Sequence, residues 1–127
     1  MISKELLSVV LNKKVIEDDI SSIELKDNKI TFIEDYWDED EGSGFYRSHT
    51  INIYELIHLC KEWLLNQNIS AYSYLHELNG GVEIVPKKKC NWLNGNKKFK
   101  ADTEPEAIFK AAQWVLDNTS TNKLKGH

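Results

Sequence analysis

The sequence predicts an α+β fold in which an N-terminal helix precedes two similar antiparallel ββ(β)α halves, with the helices packed on sheet. Three observations lead to this fold class. Short segments alternate apolar and polar residues, which is typical of strands with one buried face. Two helix starts carry capping residues ahead of an apolar stripe at helical spacing. The second capped segment matches the first at four identical positions, 51 residues further along the chain.

The first half of the chain is predicted to hold a helix, a hairpin and a third strand. Ser3 is placed to cap the first helix. Alternating runs on both sides of Asp27 and Asn28 predict a hairpin with a two-residue turn. Residues 34–44 are rich in carboxylates and end in glycine and serine, which favours a loop. A third strand is expected over residues 45–51.

The second half is predicted to follow the same pattern. Residues 71–78 alternate as a strand does, residues 79–81 supply an Asn-Gly-Gly turn, and residues 82–85 form the returning strand. A further short strand is expected around Phe99. The end of the chain is polar, so we expect a flexible tail over residues 118–127.

The two capped helices indicate an internal repeat. Residues 52–66 align with residues 103–117 without gaps, with Asn52 and Thr103 as the caps. Four aligned pairs are identical: Glu55 and Glu106, Ile57 and Ile108, Trp63 and Trp114, and Leu65 and Leu116. We therefore expect residues 1–117 to form a single α+β domain built from two copies of one unit.

The composition excludes several classes of protein. The chain has 127 residues, of which 41% are apolar and 28% charged, as in one globular domain. No apolar run approaches the roughly 18 residues that a spanning helix needs, so we expect no membrane contact. The two cysteines and the lack of a secretory-type start favour a cytoplasmic location without disulfides. No spacing of histidines and cysteines predicts a metal site, and we expect no cofactor.

The C-terminal run ADTEPEAIFKAAQWVL, residues 101–116, resembles the ending of many small uncharacterised proteins of bacteriophages and prophages, some of them grouped as a phage sandwich domain. The resemblance implies an origin on a mobile genetic element and a small mixed α/β fold. It implies no catalytic residue.

Charge is distributed unevenly along the chain. Residues 1–62 hold 14 acidic and 7 basic residues, a net charge of -7, whereas residues 63–127 hold 6 acidic and 9 basic residues, a net charge of +3. An acidic surface steers a protein towards a basic groove, including one built for nucleic acid. The opposite signs of the two halves also permit self-association into a homodimer.

The candidate partner-binding surface is the acidic and aromatic segment of residues 34–41. Trp and Tyr are enriched at interface hot spots, and a solvated loop does not require two large rings. The alternative is a solvated loop whose rings fold back onto the core. The predicted contact residues are Glu34, Asp35, Tyr36, Trp37, Asp38, Glu39, Asp40 and Glu41.

Lysines interleaved with aromatic residues form a second candidate surface, because such clusters bind single-stranded nucleic acid through phosphate contacts and base stacking. The residues are Lys87, Lys88, Lys89, Trp92, Lys97, Lys98 and Lys100. The same lysines would also protect a strand edge from aggregation, or face the acidic segment of a second copy.

Two metal-dependent alternatives carry weaker patterns. Glu24 and Lys26, with Asp18 and Asp19 upstream, match the Asp…Glu-x-Lys arrangement that holds a metal in many nucleases. Residues 38–42 share two aspartates and a glycine with a calcium loop but lack its third ligand before the glycine and its bidentate glutamate.

The function that the sequence favours is a non-enzymatic, phage- or prophage-derived protein-binding module. Its expected role is to inhibit a host defence protein, as anti-CRISPR proteins do, through the acidic and aromatic loop. The partner would be a host protein, such as one that handles nucleic acid. The alternative is a nucleic-acid-binding protein that uses the lysines between Lys87 and Lys100.

Overall fold

The computed structural model describes residues 2–16, 24–26, 28–76, 79–88, 93 and 95–125, with the backbone alone at 24–26, 76 and 120–125. Within these residues the chain has the predicted α+β architecture, with two three-stranded antiparallel sheets. The elements are α1 (Lys4–Leu11), β1 (Glu24–Lys26), β2 (Lys29–Asp38), β3 (Ser43–Asn52), α2 (Ile53–Asn66), β4 (Ile69–His76), β5 (Asn79–Pro86), β6 (Lys97–Ala101) and α3 (Glu104–Lys125).

The chain divides into two compact units, Met1–Leu56 and Ile57–His127, and the single domain expected over residues 1–117 stays a prediction. The first unit holds α1 and the sheet with strand order β1-β2-β3, and the second holds α3 and the sheet with strand order β4-β5-β6. No helix in the described part of the chain is long and apolar enough to cross a membrane.

Local capping fixes α1 as predicted. The Ser3 hydroxyl accepts a hydrogen bond from the backbone N–H of Leu6 at 3.1 Å, which satisfies a donor that the first turn leaves free. Asn12 takes a left-handed conformation and ends the helix. Leu6 and Leu7 are fully buried, so one face of this short helix contributes to the core of the first unit.

The hairpin predicted around Asn28 is confirmed. Lys26 pairs with Lys29, so two residues connect β1 and β2, and Asn28 has the positive φ of 61° that such turns require. Asp27 lies outside the described residues.

The acidic segment is a hairpin and not the predicted loop. β2 continues through residue 38 and pairs with β3 without interruption from Lys29 opposite Asn52 to Asp38 opposite Ser43. Residues 34–38 are therefore strand, because the alternation that begins with buried Ile30 and Phe32 carries on into the carboxylate-rich stretch. The third strand accordingly begins two residues earlier than predicted.

The second unit is built on a sheet covered by α3, which packs on β5 and β6. Val82 and Ile84 of β5 are fully buried and share a face with Phe99 of β6. The Phe99 ring contacts Trp114 of α3, with 6.0 Å between ring centroids.

The turn predicted at residues 79–81 is wrong, because β5 already begins at Asn79, which pairs with His76. Gly80 and Gly81 lie inside the strand, where they leave room for neighbouring atoms and do not form a turn. A Cβ at Gly80 would overlap the backbone of Thr103 and Glu104, and a Cβ at Gly81 would lie 2.5 Å from the Tyr74 ring. Both glycines allow close packing and not a turn.

The two repeated segments both form capped helices with matching start positions and matching buried positions. α2 and α3 begin at Ile53 and Glu104, 51 positions apart, and their caps Asn52 and Thr103 accept hydrogen bonds from backbone N–H groups at 2.8 and 3.4 Å. Four aligned pairs are buried in both helices: Leu56 and Ala107, Ile57 and Ile108, Cys60 and Ala111, and Leu64 and Val115. Each half therefore consists of an antiparallel sheet followed by a capped helix, as predicted.

Residues 118–125, predicted as part of a flexible tail, continue α3. No glycine or proline interrupts this stretch. The Asn118 side chain donates to the Trp114 carbonyl and the Thr119 hydroxyl to the Val115 carbonyl, both at 2.8 Å. Residues 126 and 127 lie outside the described part of the chain.

Replacing Gly80 with alanine is expected to lower the free energy of unfolding by about 1–3 kcal/mol, as overpacking does, because the backbone of Thr103 and Glu104 must move. The matched control is Gly44→Ala, whose Cβ would come no closer than 3.4 Å to its nearest neighbours, the Trp37 ring and the Tyr36 carbonyl. Urea unfolding of the three proteins measures both effects. Equal stabilities of the two variants would contradict the close approach.

Candidate functional site

The candidate site is the distal part of the β2–β3 hairpin, residues 35–47, called the acidic hairpin below. The backbone carbonyl of Lys14 accepts a hydrogen bond from the Asp35 N–H at 2.8 Å, and Val15 forms an isolated β-bridge with Glu34. Beyond this point, in the part of the chain that the structure describes, residues 36–38 pair only with β3. The acidic hairpin is therefore a two-stranded extension of the first unit's sheet.

The turn of the acidic hairpin is organised by Asp38. Its carboxylate Oδ1 accepts hydrogen bonds from the N–H groups of Asp40 at 3.0 Å and Glu41 at 3.3 Å, and its carbonyl accepts one from Gly42 at 2.8 Å. Gly42 has a φ of 65°, which glycine adopts without steric cost. Asp38 thus positions the turn, and the side chains of Glu39, Asp40 and Glu41 remain exposed.

One face of the acidic hairpin carries a cation–π cluster. Tyr36 and Phe45 are opposite each other across the strands, with ring centroids 5.2 Å apart. The Arg47 guanidinium lies 3.3 Å from the centroid of the Tyr36 ring and 5.4 Å from that of Phe45. Such contacts stabilise the pairing of the two strands.

The opposite face presents two exposed rings. Trp37 is 61% exposed and Tyr46 is 70% exposed, so these rings do not fold back onto the core. They share a face because Trp37 pairs with Gly44 and Tyr46 with Asp35. Sequence reasoning missed Phe45, Tyr46 and Arg47, because only the strand register brings them beside residues 35–38.

Glu34, predicted as a surface contact, is instead buried, with 7% of its surface exposed. Its carboxylate lies 2.8 Å from His49 Nε2 and 3.8 Å from Lys13 Nζ. The His49 ring also stacks on Phe32, with centroids 5.1 Å apart. Glu34 therefore anchors the base of the hairpin. The Asp35 carboxylate also has a partner within the chain, because it forms an ion pair with Lys14 Nζ at 3.2 Å.

The described lysines do not form one continuous surface. Lys97 and Lys98 are neighbours on β6 and so point to opposite faces. Lys97 Nζ lies 5.1 Å from the Trp114 ring centroid, and Lys98 Nζ lies 5.7 Å from that of Tyr74. Lys87, Lys88 and Lys100 are exposed, and Lys89 and Trp92 lie outside the described residues.

Among the described residues, no group of three His, Cys, Asp or Glu side chains could hold a metal ion. Asp18 and Asp19, and the side chains of Glu24 and Lys26, lie outside the described set. Cys60 is fully buried, and burial raises the pKa of its thiol to about 12. The thiol is thus protonated near neutral pH and is not a nucleophile.

The second unit also has an open groove of about 410 Å³ beside the start of α3. Tyr74, Asp102 and Glu104 are among the residues that line it. The Tyr74 hydroxyl is buried and makes no hydrogen bond within the described part of the chain.

No protein-family model, curated protein or solved structure matches this chain. The resemblance of residues 101–116 to phage proteins stays a prediction.

Replacing Glu34 with alanine is expected to lower the free energy of unfolding by about 1–3 kcal/mol, because His49 loses its partner in a half-buried site. Glu39→Ala removes an exposed carboxylate from the turn and is expected to change stability by less than about 0.5 kcal/mol. Chemical denaturation compares the two variants. Equal and small effects would contradict an anchoring role for Glu34.

Proposed function

We propose that this protein is a non-enzymatic binding module that inhibits or modulates a host protein through the acidic hairpin. One observation carries the proposal: a single paired ribbon holds an exposed acidic turn beside two exposed aromatic rings. Its working residues are Trp37, Glu39, Asp40, Glu41 and Tyr46.

The chemistry of this surface favours a basic protein groove as the target. The three turn carboxylates supply a local negative field that steers association with a positive surface. Trp37 and Tyr46 are the residue types that most often dominate binding energy. Because the strands already hold these groups in place, little conformational entropy is lost when they bind.

A groove of that kind belongs to proteins that bind nucleic acid, where carboxylates can occupy positions normally taken by phosphates. The resemblance of residues 101–116 to phage proteins supports a host defence protein as the target, such as a CRISPR effector or a restriction enzyme. Inhibition would then consist of blocking access to nucleic acid, with no bond made or broken.

Neutralising the turn with Glu39→Gln, Asp40→Asn and Glu41→Gln is expected to abolish capture of the partner from nuclease-treated host lysate. Asp38 is left in place because it organises the turn. The matched control removes three exposed helical carboxylates, Glu55→Gln, Glu62→Gln and Glu106→Gln, and is expected to retain the partner. Both variants change the net charge by the same amount.

The same capture experiment tests the rings. Trp37→Ala or Tyr46→Ala is expected to weaken binding of the captured partner by about 30-fold, the effect of a hot-spot residue. Tyr72→Ala removes a ring that is 58% exposed on β4 and is expected to have no effect. A partner retained equally by all variants would contradict the proposal. Capture that depends on intact nucleic acid would favour the lysines instead.

A further inference from the structure

Within the described residues, β3 is an edge strand, and no other strand pairs with its outer edge. The Ile53 N–H donates to the Asn28 carbonyl at 2.8 Å, which marks that pair as hydrogen-bonded, so by alternation the odd-numbered residues of β3 bond to β2. The even-numbered residues point their N–H and C=O groups away from the sheet. Every residue of β3 is exposed except the half-exposed His49 and Ile51. The outward groups belong to Gly44, Tyr46, Ser48, Thr50 and Asn52.

Of the two edge strands of the other sheet, β4 and β6, the edge of β6 is protected, and the edge of β3 is not. β6 carries three lysines in five residues, and the outward carbonyl of Lys100 accepts a hydrogen bond from Lys110 Nζ at 3.0 Å. Lysines and blocked carbonyls keep an edge from pairing. β3 has no lysine and no proline, and Arg47 is its one basic residue besides His49. The unpaired N–H and C=O groups along an edge of this length can pair with a further strand.

We propose that β3 pairs antiparallel with β3 of a second copy, with Ser48 opposite Ser48, to form a continuous six-stranded sheet. This register uses all five outward residues and adds about ten main-chain hydrogen bonds. It does not depend on the proposed function.

The side chains of β3 are self-complementary in this register. Phe45 comes opposite Ile51 of the second copy, and Tyr46 comes opposite Thr50, which are the aromatic and β-branched pairs that stabilise sheets. Arg47 comes opposite His49, whose ring is held by the Glu34 carboxylate.

Neighbouring registers lack this fit. A shift of the pairing by two residues in one direction sets Arg47 opposite Arg47, and a shift in either direction pairs only four of the five outward residues. Directly opposed like charges destabilise a strand pair. This pattern about Ser48 favours a second copy over an unrelated strand as the occupant of the edge.

The first test is the mass in solution by sedimentation velocity over a range of concentrations. The wild-type chain is expected to reach twice its 14.7 kDa mass. Ser48→Pro removes the central outward N–H, which an edge strand tolerates on its open side, and is expected to weaken dimerisation by at least about tenfold. Ser48→Ala keeps that N–H and is expected to remain dimeric. A monomeric wild type, or a dimer unaffected by Ser48→Pro, would overturn the proposal.

The second test reports the register and keeps the proposal testable if Ser48→Pro does not fold. In a Cys90→Ser background, Ser48→Cys is expected to form a disulfide-linked dimer on mild oxidation, because the two Cα atoms would lie about 5.5 Å apart. Ser43→Cys, also exposed on β3, is the control, since its two copies would lie roughly 33 Å apart. Equal cross-linking of the two variants would overturn the register, and a different protein found on this edge would overturn the second copy as its occupant.

Discussion

Unbroken pairing of β2 with β3 is the constraint on which the rest of the first unit depends. Because side chains alternate along each strand, one register decides which residues are buried and which face solvent. It buries Ile30 and Phe32 and brings His49 beside Glu34. A slip of one residue would turn the apolar set outward and the exposed rings inward, so the Glu34 and His49 contact fixes the register as well as stabilising the sheet.

The same register separates the two uses of acidic residues in this hairpin. Glu34 is buried at the base, where Lys13 and His49 contact its carboxylate, whereas Glu39, Asp40 and Glu41 lie in the turn, where water solvates them. Asp38 has a third role, because its carboxylate accepts hydrogen bonds from backbone N–H groups and so organises the turn. A negative surface therefore forms only where it costs the fold little, and it is this surface that we propose binds a basic partner.

Local signals made much of the fold predictable, and long-range contacts account for what was missed. Ser3, Asn28 and Thr103 act on their own neighbours, so caps and turns could be predicted from sequence. Gly80 was misinterpreted because the backbone that it accommodates lies more than twenty positions away. At the candidate site, the many carboxylates favoured a loop prediction although β2 continues through them. The burial of Glu34 depends on His49, which lies fifteen positions further along the chain. The exposed rings on β3 depend on register, which no single residue encodes.

The most direct test of this account is a nuclear Overhauser experiment on the isotope-labelled protein in solution. If β2 and β3 stay paired to the turn, Hα–Hα contacts will connect Asp35 with Tyr46 and Trp37 with Gly44, which are the closely spaced pairs of the register. Their presence would establish the acidic hairpin as a preformed surface. Their absence, with random-coil shifts over residues 35–46, would contradict it.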